Sequence, residues 1–194
     1  MMSIKDIHKD LKNELDNKRY VHTNGVAYTA ACMAMKWGVN VNDALLAGLL
    51  HDCAKGMSDK ERIAYCKDKK IPITDVEKAN PGLLHAKVGA HLAKVKYGVE
   101  NEDILSSITY HTTGRCDMSI FEQIIFIADY IEPNRMPLPE IEQIRKEAFE
   151  DLNVCTWHIY KNTLAHLYAN TKALDPATEK AYAFYCEKTG RKNI

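Results

Sequence analysis

The chain has 194 residues, 46% of them hydrophobic, with 26 Lys+Arg against 26 Asp+Glu and a formal net charge of zero. That length and apolar content bury a good core, which excludes disorder, and the balanced charge supplies no basic field for gripping long nucleic acid, while leaving room for a local cationic pocket that takes a small polyphosphate. No stretch reaches the apolar length of a membrane span and the charged, amphipathic N-terminus has no signal-peptide core, so a cytoplasmic protein is expected. The six cysteines are scattered without a close pair and read as reduced thiols.

Apolar residues recur at three- and four-residue intervals and alternating runs are nearly absent, so the fold class is all-α: a single domain over 1–194, its most specific motifs in 19–135. A short helix covers about Ile4 to Leu15. A second carries Tyr20 to Trp37 before Gly38 stops it, with His22, Val26, Ala30 and Met33 on one face. Asn42 or its neighbour caps a helix ending at His51-Asp52; Asp52 to Met57 is a connector, and Ser58 with Glu61 forms a capping box for the next helix. Ile71-Pro72 to Pro81-Gly82 is turn-rich, and Leu84 to Tyr97 is a helix closed by Gly98 that begins beside His85. The run Glu102 to Thr112 puts Ile104, Ile108 and His111 on one face before Gly114. Ser119 opens the helix delivering Asp129, after which Pro133, Pro137 and Pro139 force an extended excursion. Helices from about Glu140, over Leu152 to Ala169 and over Ala177 to Lys188 complete the chain, the last two joined by Asn170 to Pro176.

The chemistry concentrates at the ends of apolar runs. His51-Asp52 closes Leu45-Leu46-Ala47-Gly48-Leu49-Leu50, and Asp129 closes Ile124-Ile125-Phe126-Ile127-Ala128. A chain of this composition contains roughly half a His-Asp dipeptide by chance, so the pair alone decides little. Two carboxylates at the ends of buried segments decide more, because each is costly without a positive partner and imidazole with carboxylate is a ready ligand set for a divalent cation. With His22, His85 and His111 the set is His22, His51, Asp52, His85, His111 and Asp129, enough for two metals. Asp52 has two oxygens with which to bridge them. Cys53, directly after the pair, is a further candidate ligand for zinc or iron.

The order His, His-Asp, His, His, Asp resembles the HD-domain metal-dependent phosphohydrolases, a helical superfamily. Arg19-Tyr20-Val21-His22, Ala54-Lys55-Gly56, Leu84-His85-Ala86, His111-Thr112-Thr113-Gly114 and Ala128-Asp129-Tyr130-Ile131-Glu132-Pro133-Asn134-Arg135 resemble its bacterial YqeK-type group of symmetrical diadenosine tetraphosphate hydrolases. That resemblance implies one iron on His22, His51, Asp52 and Asp129 and a second on Asp52, His85 and His111, though the ligand types equally suit manganese or zinc. It implies nucleotide contacts from Arg19 and Arg135, and from Asn170, Thr171, Lys172 and Asp175 in a looser match; by position, Lys55 after the His-Asp pair and Thr112 beside His111 can reach phosphate oxygens, and His85, His111 and Asp129 are expected to touch substrate as well. It implies a homodimer. The reaction expected is hydrolysis of a phosphoanhydride to two ADP by water whose pKa the metals lower, with Asp52 holding the centre and Lys55 neutralising charge on the phosphoryl oxygens. Two rivals stand beside it: an HD phosphohydrolase for another nucleotide, and a nucleotide sensor that keeps the fold without turnover.

Overall fold

The computed structural model describes residues 2–135, 138–169 and 175–191, and among them there are helices and turns but no strand. Helix α1 (Ile4–Glu14) starts at Ser3, whose side chain accepts from Asp6 N, and it buries Ile7 and Leu11. Helix α2 (Asn17–Trp37) begins a turn before the predicted Tyr20 because Asp16 caps it, accepting from Arg19 N at 2.8 Å; Gly38, at φ 71°, ends it in the left-handed region. Helix α3 (Val41–Leu50) is capped by Asn40, not Asn42, through a 3.1 Å bond from Asp43 N, and its C-terminal boundary falls at His51.

Helices α2 and α3 touch through Gly48. A Cβ there would lie 2.6 Å from Ala27 Cα, so two backbones meet where only hydrogen fits. Gly48→Ala, which in an isolated helix would gain about 1 kcal/mol, is expected to destabilise this protein by about 1–3 kcal/mol through overpacking. Thermal melting of the variant checks the sign: a higher Tm would mean that the two helices can part without loss.

Helix α4 (Asp59–Asp68) carries the expected Ser58/Glu61 capping box. The turn-rich segment holds more order than expected: a second capping box, Thr74 with Glu77, starts the short α5 (Asp75–Ala79), and a 3-10 turn over Pro81–Leu83 leads into α6 (Leu84–Val95). Then follow α7 (Glu102–Tyr110), α8 (Ile120–Ile131), α9 (Ile141–Glu150), α10 (Leu152–Ala169) and α11 (Pro176–Thr189). Helix α8 is the centre of the fold, buried continuously from Phe121 to Ala128 and packed by α2, α3, α7 and α10. The polar side chains within that stretch are satisfied inside the protein, Glu122 by Arg115 and Gln123 by Met118 O, and the apolar ones leave no face for solvent, so neighbours enclose it. None of the described helices is long and apolar enough to cross a membrane.

Candidate metal centre

Helices α3, α7 and α8 bring their last turns together, α6 brings its first, and α2 adds His22 from its second turn. His51 and His111 are the C-caps of α3 and α7, and Asp129 lies in the last turn of α8. Helix C-termini carry partial negative charge, which adds to the carboxylates and favours a cation.

Each histidine is held by Nδ1 and turns Nε2 inward. His51 Nδ1 donates to Gly48 O at 2.7 Å, His85 Nδ1 to Gly82 O at 2.6 Å and His111 Nδ1 to Ile108 O at 2.7 Å, while His22 Nδ1 lies 3.0 Å from Glu132 Oε1. A carbonyl only accepts, so these three Nδ1 atoms carry the proton and each Nε2 presents a lone pair. Two such lone pairs, His85 Nε2 and His111 Nε2, face each other at 3.1 Å. Neither can donate to the other, and a cation shared between them would relieve the contact.

Asp52 divides its carboxylate between two sets. Oδ2 lies 3.5 Å from His51 Nε2 and 3.9 Å from His22 Nε2; Oδ1 lies 3.2 Å from His85 Nε2 and 3.6 Å from His111 Nε2. Asp129 Oδ1 joins the first set, 3.0 Å from His22 Nε2 and 3.8 Å from His51 Nε2. Potential ligand atoms of His22, His51 and Asp129 fall within 4.8 Å of one another, as do those of His51, Asp52 and His111. The atoms His22 Nε2, His51 Nε2 and Asp52 Oδ1 are buried without an aligned hydrogen-bond partner. His22 Nε2 is close to Asp129 yet off the line of a hydrogen bond, the arrangement of two groups aimed at a third. Orphaned lone pairs of the right donor types fit divalent cations.

The ionisation states of His51, His85, Asp52 and Asp129 agree with ligation. Burial pushes His51 down to about 4 in spite of Asp52, and burial also lowers His85, so both rings are neutral. Burial works against ionised Asp52, yet the cationic side of its surroundings, Lys55 included, holds it well below the usual carboxylate range. Asp129 is likewise held low against burial by His22 and Arg135. His22 moves the other way: burial lowers it, and the Asp129 and Glu132 carboxylates outweigh burial and raise it.

Three cations face this cluster. Arg19 Nη1 donates to Asp52 Oδ2 at 2.7 Å and Arg135 Nη2 to Asp129 Oδ1 at 2.9 Å. Lys55 Nζ is 3.1 Å from His85 Nε2 and 3.8 Å from Asp52 Oδ1, and burial lowers its pKa against the pull of Asp52. Thr112 Oγ1 sits 2.9 Å from His111 Nε2 and 3.1 Å from His85 Nε2. Two hollows open beside the centre, one of about 210 Å3 touching His111, Thr112 and Asp129, the other of about 420 Å3 touching Arg19 and His22; Arg135 lines both.

All six expected ligands and Arg19, Lys55, Thr112 and Arg135 therefore meet at one place. Asp175 instead caps α11, accepting from Ala177 N at 2.9 Å. Asn170, Thr171 and Lys172 lie outside the described residues, as does Pro137. Cys53 points elsewhere: its buried thiol is 3.5 Å from Gly89 O and is pushed up to about 12, mainly by burial, so it stays a neutral thiol. His91 pairs with Tyr65, and His158 with Glu147 and Glu140. The residue passed over in the sequence is Glu132, one position beyond the last apolar residue of α8 and 1% exposed.

The HD-domain signature matches residues 19–134. A symmetrical bis(5'-nucleosyl)-tetraphosphatase of Bacillus subtilis is 39% identical over 172 residues, covering 89% of this chain and 91% of that protein. One of Staphylococcus aureus is 34% identical, covering 86% of each. A crystal structure from Clostridium acetobutylicum, described as a predicted HD superfamily hydrolase involved in NAD metabolism, superposes with a TM-score of 0.93 at 37% identity over 97% of this chain and 99% of that one. HD domains bind divalent metal, and the clusters above offer donor atoms that could hold one. The chain belongs to the HD-domain hydrolases, in the branch whose curated members are named symmetrical bis(5'-nucleosyl)-tetraphosphatases.

Proposed function

We propose that this protein hydrolyses diadenosine tetraphosphate symmetrically to two ADP, with His22, His51, Asp52 and Asp129 holding one divalent cation and Asp52, His85 and His111 a second. The observation that carries the reading is Asp52, whose Oδ2 faces His51 and His22 while its Oδ1 faces His85 and His111. Similarity to the named tetraphosphatases supports the substrate. Bound cations would supply Lewis acidity, lowering the pKa of water and neutralising phosphate charge. Iron is the metal that the family resemblance favours, and manganese or zinc suits the same ligands.

The chain's own groups do the rest. With Asp52 and Asp129 engaged by cations, Arg19 and Arg135 would be free to hold phosphate oxygens, for which the guanidinium fork is well shaped. Lys55 stabilises the charge that gathers on the departing ADP as its P–O bond breaks. Thr112 donates its hydroxyl to a phosphate oxygen. The hollows on the two sides of Arg135 give a substrate with two like halves room to lie across the centre. Asn170, Thr171 and Lys172 belong to the nucleotide contacts in this reading. The protein acts as one cytoplasmic domain over 1–194, a homodimer without nucleic-acid or membrane partners.

Purified protein incubated with diadenosine tetraphosphate and iron, manganese or zinc should release ADP alone. AMP plus ATP would exclude symmetric cleavage, and binding without turnover under any metal would favour a sensor. Chelation should lower thermal stability, because each ion bound at about 100 times its Kd contributes about 2.7 kcal/mol, or roughly 5–10 °C in Tm for a chain of this size. Adding manganese back should restore the Tm, and an unchanged melt after chelation would count against a built-in centre.

A further inference from the structure

The four inward histidines are held in two different ways. His51, His85 and His111 each donate to a carbonyl three residues earlier, a neutral acceptor supplied locally. His22 instead meets Glu132 Oε1 at 3.0 Å, a carboxylate 110 positions along the chain. Among the described residues His22 is the one ion-pair partner of that carboxylate, although Glu132 is almost completely buried. Arg145 is near, but it donates to the backbone carbonyls of Ile131 and Glu132.

The seat of Glu132 is tightly built. Oε2 accepts from Asn134 N at 2.7 Å and Asn134 Nδ2 at 3.1 Å, which fixes the carboxylate plane. Across from it, Gly25 on α2 leaves the space: a Cβ there would collide with Oε2 and lie 3.2 Å from Asn134 Nδ2. An anionic acceptor behind an imidazole polarises the Nδ1–H bond and makes Nε2 a stronger donor to a metal than a carbonyl does. A buried negative charge without arginine or lysine also asks for positive charge nearby, and the His22 ring leads to the place where a cation would sit.

We infer that Glu132 is a positioning residue: through the His22 ring it sets the affinity of the His22–Asp129 half of the centre for a divalent cation, with Gly25 and Asn134 holding it in line. The inference rests on the assignment of His22 as a ligand above.

The test is calorimetric titration of manganese into chelator-treated full-length protein, for the parent, Glu132→Gln, Gly25→Ala, His22→Ala and the double variant His22→Ala/Glu132→Gln. In Glu132→Gln one of the two ions should bind about 10–100-fold more weakly while the other is unaffected, since an amide cannot accept from both His22 and Asn134. Gly25→Ala displaces the carboxylate without removing its charge and should weaken the same ion, which keeps the test decisive if Glu132→Gln folds poorly. The double variant should match His22→Ala alone, because a group acting through His22 has nothing left to act on. Nitrogen-15 shifts of the imidazoles should show His22 losing its fixed tautomer in Glu132→Gln while the other three keep theirs. Unchanged manganese binding in both Glu132→Gln and Gly25→Ala, or a loss that adds to that of His22→Ala, would overturn the inference. Two ions retained in His22→Ala would overturn the ligand assignment itself, and the inference with it.

Discussion

Asp52→Asn is expected to lower occupancy at both metal positions and to reduce turnover of diadenosine tetraphosphate by about 10³-fold or more, as loss of a preorganised charge at a reacting centre does. An amide keeps one oxygen and replaces the other with an NH2 group that donates and cannot ligate. Whichever way it turns, one of the two histidine sets faces nitrogen: His51 with His22, or His85 with His111. The set that keeps oxygen loses the negative charge that favoured a cation there. Terminal ligands behave differently. His22→Ala and His111→Ala each remove a donor from one set, so each should cost one ion and leave the second measurable. Elemental analysis of the purified variants beside the assay separates the cases. Two ions in Asp52→Asn, or activity near that of the parent, would show that Asp52 does not bridge.

The six candidate ligands were legible because each stands where a hydrophobic pattern stops or on its inner face. Asp129 follows five apolar residues of α8, His51-Asp52 follow six residues of α3, and His111 shares the inner face of α7 with Ile104 and Ile108. Burial of those faces forces the polar residue at the end inward, so periodicity and the cost of a buried charge together locate the centre. Other features depend on contacts that spacing does not encode. The division of Asp52 between two histidine sets is set by the packing of α6 and α7 against α3. Glu132 reads as an ordinary polar residue ending α8, and only the approach of α2, permitted by Gly25, shows what it faces. Asp16 and Asn40 cap their helices from outside the apolar periodicity used to place the boundaries, which is why α2 begins earlier than expected. The Thr74/Glu77 box lay in plain view, but its helix is five residues long and too short for a periodic signal.

Lys55→Ala should separate chemistry from metal binding. The ammonium is 3.1 Å from His85 Nε2 and 3.8 Å from Asp52 Oδ1, against the same lone pairs that would hold a cation. Like charges repel at that range, so a cation held by His85, His111 and Asp52 would displace the ammonium, and the flexible Lys55 stem would let it reach a phosphate oxygen instead. Removing Lys55 therefore removes a competitor of the metal and a stabiliser of the transition state at once. Metal affinity should stay the same or rise, while kcat falls by about 10²–10³-fold, the usual loss for one preorganised electrostatic contact. KM should change little, because the contact strengthens only as charge moves onto the leaving ADP. His85→Ala makes the contrast, since there activity and ion content should fall together. A joint fall of metal affinity and kcat in Lys55→Ala would make Lys55 a support for His85 and leave the leaving ADP without its proposed partner.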